Sequence, residues 1–399
     1  MKLLGNSARP LFFKVENADA IGIGAPVARR AEAVRVYARS LSAMQKEALV
    51  VSRRTGETWR LASDEGAYLN GDDEAPCPLS FLTTGMVSSY MEEILALARS
   101  RGIEIGGIRL LQDNYYTMRG SALKGTMTGG ARDVELEAQI ASSADEETLT
   151  ALLHDATAAS ALNGLMRRQR ESLFTLTHNG RAVDCDRVSA IDRDPVEPLN
   201  DRAFDAAETA AGDWVGLVIR NGESPKTQET TGFAGSSLAE RQDRILHIRG
   251  ICTLRPDGVK QIEQQLFNPH GSIFHFLSDE APLNGGGGLA PDSYTYISAG
   301  IAFCFMTQIG RYAGIAKKNL RDYRIVQDTH FSSGGASGGT GKPGEADPVE
   351  THVHLESGED DAFAQKALDM SEQTCFLHAL CRTELKTRIR LRPLEASAA

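Results

Sequence analysis

Residues 273–309, IFHFLSDEAPLNGGGGLAPDSYTYISAGIAFCFMTQI, decide the fold, because residues 58–94, TWRLASDEGAYLNGDDEAPCPLSFLTTGMVSSYMEEI, repeat their pattern. At an offset of 215, Ser63-Asp64-Glu65 falls on Ser278-Asp279-Glu280, Ala75-Pro76 on Ala290-Pro291 and Gly85 on Gly300. The offset drops to 212 between RGIEI at Arg101 and AGIAK at Ala313. It returns to 215 by Val134-Glu135 and Val349-Glu350, and holds through SALNGLMRR from Ser160 and CFLHALCRT from Cys375. Three separated blocks at nearly one offset read as an internal duplication. Chance reuse of amphipathic patterns is the alternative, and superposing the halves separates the two.

Working outward, each copy reads as strands, a long apolar helix, strands and a second helix. This predicts an α+β chain with antiparallel sheets around buried central helices. In copy two, ILHIRGICTLRP, KQIEQQLF and SIFHFLSD alternate as half-buried strands do. SYTYISAGIAFCFMTQIGRYAG is apolar nearly all round, which predicts an enclosed helix with Cys304 at its centre. NLRDYRIVQDTHF and VETHVHLES predict a strand pair around SSGGASGGTGKPGEADP, whose Gly and Ser content predicts mobility. DDAFAQKALDMSEQTCFLHALCRTEL predicts the second helix, with Cys375 late in it, and APVARRAEAVRVYARSLSAM near the front predicts an extra helix. The expected organisation is a first repeat over 1–190, a linker over 191–241 and a second repeat over 242–399.

Composition narrows the function. The 399 residues are 41% apolar and 24% charged, as in ordinary globular chains. A net charge of −10, from 43 basic and 53 acidic side chains, argues against a nucleic-acid partner, which would need clustered Lys and Arg. The start MKLLGNSARP has no secretory apolar region, and no apolar run reaches the length of a membrane span, so the expectation is a cytoplasmic protein without a membrane partner. Six cysteines are too few for a disulfide scaffold and no CxxC pair suggests zinc. No cofactor or metal is therefore expected, and any cysteine function should be redox or nucleophilic.

Strands followed by a buried helix with a central cysteine, SAGIAFCF at Ser298 to Phe305, and a second helical cysteine in CFLHAL at Cys375 to Leu380, resemble the OsmC/Ohr superfamily. The resemblance covers both copies and implies two tandem OsmC-like domains. Family members are usually homodimers with sites at the interface, so a tandem chain would form an intramolecular pseudo-dimer; whether it pairs further into a homo-oligomer stays open. Cys304 falls on Ser89 and Cys375 on Ser160, so the first copy is expected to lack thiol chemistry. The family's usual glutamate and proline positions hold Tyr294 and Phe376 here, and Asp292 is the candidate replacement carboxylate. For the activating arginine that the resemblance implies, Arg53, Arg54 and Arg60 in copy one and Arg249 and Arg255 in copy two lie on or near the opening strands, and Arg54 is the candidate.

The resemblance implies that Cys304 attacks a hydroperoxide to become a sulfenic acid, that Cys375 condenses with it, and that an external dithiol reduces the resulting disulfide. His378, about one turn after Cys375, could act as base or donor. The bland readings are packing cysteines and a structural histidine. His352 and His354, two apart on a strand, have metal-ligand spacing but read better as a solvated face. Phe274, Phe276, Tyr294, Tyr296, Phe303 and Phe305 predict a hydrophobic small-molecule substrate. A peroxidase therefore competes with a cysteine hydrolase or sulfur-transfer enzyme, and with a non-catalytic binding protein.

Overall fold

The computed structural model describes residues 4–6, 9–42, 44–122, 124–226 and 242–394, so the part of the expected linker from 227 to 241 lies outside the described residues. The architecture is mixed α+β, with two sheets and seven α-helices among these residues. One sheet runs β1 (Phe13–Lys14), β4 (Thr58–Ser63), β3 (Lys46–Ser52), β2 (Glu32–Ser40), β15 (Leu320–Ser332), β17 (Glu350–Ser357), β8 (Leu173–His178) and β10 (Ser189–Ala190). The other runs β11 (Val218–Glu223), β14 (Ser272–Ser278), β13 (Lys260–Asn268), β12 (Gln242–Leu254), β5 (Gly107–Gly120), β7 (Val134–Ala141) and β18 (Thr387–Pro393). Short strands β6 (Thr128–Ala131), β9 (Arg181–Val183) and β16 (Glu345–Ala346) pair with β5, β8 and β15. Each sheet thus draws strands from both aligned segments. Antiparallel β2–β15 and β12–β5 are the seams, and parallel β17–β8 and β7–β18 lie beyond them.

Between the sheets lie helices α1 (Pro78–Arg101) and α5 (Ser293–Ala316), which pack on each other. Their contact explains one aligned pair. A Cβ on Gly85 would sit 2.6 Å from Ile297 Cγ1 and 2.7 Å from Ser293 O, and one on Gly300 would sit 2.7 Å from Leu82 N. Only glycine lets the two backbones approach this closely. The Ser-Asp-Glu motif has a structural role too: Asp64 Oδ2 accepts from the amides of Asp72 and Glu74, and Asp279 Oδ2 from those of Gly287 and Leu289, closing the turn before each helix. Four shorter helices follow the same order in the two segments or cover a sheet: α2 (Glu146–Ala159), α3 (Ala161–Met166), α6 (Asp361–Thr374) and α7 (Phe376–Cys381), with α4 (Asp201–Ala206) between.

Three expectations change. Residues 25–44 hold strand β2, not a helix. Val34, Val36 and Ala38 face the main core while Tyr37 packs with Phe13, Leu49 and Phe204 on the other side, and a strand buried on both faces loses the alternation that marks it. The outer cover comes from the expected linker, where Phe204 lies under the Arg39 guanidinium at 4.5 Å and Arg39 pairs with Asp201 at 2.7 Å. The second helix is not continuous: it breaks at Cys375, with φ −70 and ψ 121, as it does in the first segment at Ser160, with φ −56 and ψ 132. The Gly-rich stretch after β15 is fastened to α2, through Gly334 N to Ala159 O at 2.7 Å and Gly344 N to Ala158 O at 2.8 Å.

Candidate functional site

Cys304 sits in the middle of α5, 3% exposed, and Cys375 occupies the break between α6 and α7, fully buried. The break is supported locally. Arg382 donates to the carbonyls of Glu372 and Gln373 at 3.0 and 3.1 Å, and in the first segment Arg167 donates to Ala158 O at 3.0 Å. These donors satisfy carbonyls that the interrupted helix leaves open. Both cysteines are free thiols, near enough for each to shift the ionisation of the other. At the aligned positions the Ser89 and Ser160 hydroxyls are hydrogen-bonded at 2.7 Å.

The pair is electrostatically uneven. Burial pushes both thiols up, since a thiolate loses its water there. For Cys304 burial is reinforced by the neighbouring Cys375, and its pKa stands well above the ordinary thiol value. For Cys375 burial is outweighed by the neighbouring Cys304, by the charge and ring N–H of His378 and by the His378 backbone N–H, and its pKa falls well below the ordinary value. Ionisation of the pair therefore favours Cys375 over Cys304. His378 is 1% exposed, with its ring edge-on to Phe174 at 5.5 Å and to Phe305 at 5.0 Å. Among the described residues neither ring nitrogen meets a partner at full hydrogen-bond geometry, so its link to Cys375 is a loose one.

Cys304 opens onto a cavity of about 850 Å³. Its walls are mostly aliphatic, including Met44, Leu79, Met118, Leu266 and Ile315, with Tyr68 and Phe376 as the aromatic members. The six aromatics expected around the site line none of it. Phe276, Tyr296 and Phe303 instead meet Phe81 in the core between helices and sheet, at 5.3 to 6.2 Å between ring centroids. Glu65, Arg244, Arg311 and Lys317 are the ionisable carboxyl and basic groups in the cavity wall, and burial raises the Glu65 pKa above the ordinary carboxyl value. Arg311 lies seven residues after Cys304 on the same helix, and burial followed by the nearby Arg244 lowers its pKa to about 10. A third thiol, Cys77, also lines the cavity, pushed up to about 11 by burial and by the Glu65 charge.

The structure brings Cys304, Cys375 and His378 together and leaves Asp292 and Arg54 elsewhere. Asp292 caps the start of α5, accepting from Thr295 N at 2.8 Å, about 18 Å of helix before Cys304. Arg54 is exposed in the turn after β3, next to Glu32. Arg60 is bound to Glu47, Arg249 to Asp113 and Arg255 to Asp257, while Arg53 is exposed in the same turn as Arg54. His352 is buried rather than solvated: Nδ1 meets Thr175 Oγ1 at 2.8 Å, and His354 Nε2 meets Val196 O at 2.9 Å. No group of side chains able to hold a metal occurs among the described residues, and no helix there is long and apolar enough to cross a membrane. Sequence reasoning missed Glu65, Thr307, Lys46 and Arg311. Helical spacing of three and seven from Cys304 would have found two of them, and the Ser-Asp-Glu motif a third.

Residues 285–390, which contain both thiols, match the OsmC family model, described as OsmC-like protein, so this chain carries an OsmC-like domain there. Among solved structures, an OsmC-like hydroperoxide resistance protein from Jannaschia sp. CCS1 is 23% identical over 33% of this chain and 85% of that one, with a TM-score of 0.21. No curated protein matches the chain.

Proposed function

We propose that this chain is a cysteine-dependent peroxidase that reduces organic hydroperoxides through Cys304 and Cys375, and that its two repeats, 1–190 and 242–399 joined by 191–241, form one intramolecular pseudo-dimer. The observation that carries the activity is a pair of neighbouring free thiols, one of which, Cys304, stands in the wall of a mostly apolar cavity of about 850 Å³. Crosswise sheets, the paired glycines of the helix crossing and the matched breaks at Ser160 and Cys375 support the pseudo-dimer.

Cys375 is the thiol that ionises first and Cys304 faces the cavity, so Cys304 passes its proton to the Cys375 thiolate as it attacks. Its sulfur bonds the distal peroxide oxygen, which keeps its hydrogen, the O–O bond breaks, and the expelled alkoxide must take up a further proton to leave as the alcohol. Cys304 is then a sulfenic acid. Cys375 attacks that sulfur, water leaves, and a disulfide remains for an external dithiol to reduce. The OsmC-like domain supports this chemistry, and the aliphatic walls support an organic rather than an inorganic peroxide.

The reduced protein is mixed with cumene hydroperoxide and its free thiols are counted. Loss of two thiols, with a linkage between Cys304 and Cys375, is expected, and no loss sinks the peroxidase reading. Full turnover by a Cys375→Ser variant would favour a single-nucleophile hydrolase or transferase instead.

A further inference from the structure

A buried polar chain beside the thiols has no part in the steps above. Lys46 Nζ donates to Thr307 Oγ1 at 2.9 Å, Thr307 Oγ1 donates to Glu65 Oε1 at 2.9 Å, and the Tyr68 hydroxyl donates to Glu65 Oε2 at 3.0 Å. Thr307 follows Cys304 by three residues and so shares its helix face. Glu65, Tyr68, Thr307 and Cys304 all line the cavity. Lys46 and Glu65 are 0% and 5% exposed, and the burial of both a lysine and a glutamate here needs an explanation.

The aligned position in the other half shows what is special about this one. There Lys260 Nζ lies 3.2 Å from Glu280 and 3.3 Å from Glu92, the residue aligned with Thr307. Two carboxylates around one ammonium make a closed ion cluster. Beside the thiols a hydroxyl takes the place of the second carboxylate, and a hydroxyl accepts and donates at once, so a proton can pass along the chain from Lys46 to Glu65.

Resting on the reading of Cys304 as a nucleophile, we infer that Glu65 is the general acid that protonates whatever leaves when the Cys304 sulfur forms its new bond. With a hydroperoxide, sulfur is oxidised by two electrons, the electron pair of the O–O bond moves to the leaving alkoxide oxygen, and that oxygen takes the Glu65 proton to depart as the alcohol. Lys46 returns a proton to Glu65 through Thr307. An alkoxide released unprotonated into an apolar cavity would be costly, and a positioned acid contributes about 10²- to 10⁴-fold in rate. The first half would thus supply the acid and the second half the nucleophile.

The test uses the full-length reduced protein and two probes, with modification of Cys304 followed by mass spectrometry. Bis(2-hydroxyethyl) disulfide expels an alkanethiolate that needs a proton, whereas iodoacetamide expels iodide, which does not. Glu65→Gln keeps the size and the hydrogen bonds, and is expected to slow the disulfide reaction about 10²-fold while leaving alkylation unchanged. Thr307→Val is expected to slow the disulfide selectively, and Glu280→Gln, in the closed cluster, to change neither. Equal slowing with both probes, or no slowing with either, overturns the inference, as does a wild-type Cys304 inert to both. Neither probe is a peroxide, so failed hydroperoxide turnover with a selective Glu65 effect would overturn the peroxidase reading alone.

Discussion

Replacing His378 with phenylalanine separates two roles of that side chain, packing and charge. The ring lies between Phe174 and Phe305 and is 1% exposed, so a phenyl ring of similar shape fits the same slot. Burying polar atoms without partners costs about 1–3 kcal/mol, and both ring nitrogens are in that position among the described residues. The exchange removes this cost and adds about 1 kcal/mol of crowding, so the melting temperature should hold or rise. Reactivity should move the other way. His378 helps hold the Cys375 thiol below its ordinary pKa through its charge, an influence that needs no hydrogen bond at full geometry. Its loss should raise the Cys375 pKa and lower the thiolate population, and with it the alkylation rate, at a pH below the new value. Iodoacetamide alkylation of the pair against pH, followed by intact mass beside a thermal melt, measures both. Unchanged alkylation would refute the electrostatic link between His378 and Cys375, and a marked fall in melting temperature would refute the packing account.

Gly300→Ala should destabilise and Gly314→Ala, on the same helix, should stabilise by about 1 kcal/mol, since both gain helix propensity but only the first meets the Leu82 backbone, at 2.7 Å; paired thermal melts with the same sign would contradict this. Burial, reinforced by Arg193, His354 and Arg35, pulls His352 down to about 4 in the folded state, so the unfolded chain binds its proton first as the pH falls below about 6.5. Discounting for solvent screening, wild type should lose roughly 2 kcal/mol more than His352→Phe between neutral pH and pH 4, and parallel urea-midpoint curves for the two proteins would refute it. The double variant Ser89→Cys, Ser160→Cys should form an 89–160 disulfide on diamide treatment, because the native hydroxyls already touch at 2.7 Å; peptide mapping without that linkage would count against the proposed equivalence of the two halves.

The parts of the fold legible in the sequence were those set by a single period. The helix around Cys304 was visible because residues on every side of it are buried, and β12, β13 and β14 because their side chains alternate. Strand β2 was not, since both of its faces are covered and its cover comes from residues near 204, far away in sequence. The break at Cys375 was hidden for a similar reason: Arg382 and the Gln373 contacts to Gly125 and Met127 hold it open, and neither leaves a helix-breaking residue in the chain. Site residues divide along the same line. Cys304, Cys375 and His378 lie on elements that the sequence predicts to be adjacent. Glu65 and Lys46 reach the thiols only because the sheet containing β3 and β4 continues into β15, a pairing that no local pattern records.

The asymmetry between the thiol and serine positions extends beyond the sulfur atoms. The offset of 215 holds through the structure, and the expected drop to 212 does not occur: α1 ends at Arg101 before left-handed Gly102 and α5 at Ala316 before left-handed Lys317, and the Leu110–Ala138 pairing of β5 and β7 answers Ile325–Val353 of β15 and β17. The loop after β15 lies over the serine half, where Ser337 hydrogen-bonds Glu93 and a Cβ on Gly335 would meet Ala159. Its counterpart after β5 lies over the thiol half, where Gln373 donates to the Gly125 and Met127 carbonyls and a Cβ on Gly129 would meet the backbone at Thr374 and Cys375. On the serine side, then, two hydroxyls satisfy each other, two carboxylates close around Lys260 and a loop packs over α1 and α2. On the thiol side two free thiols, a hydroxyl-linked glutamate and a cavity stand together. The ion cluster and the paired hydroxyls thus hold the serine side together, while β3 and the turn after β4 carry Lys46 and Glu65 to the cysteines.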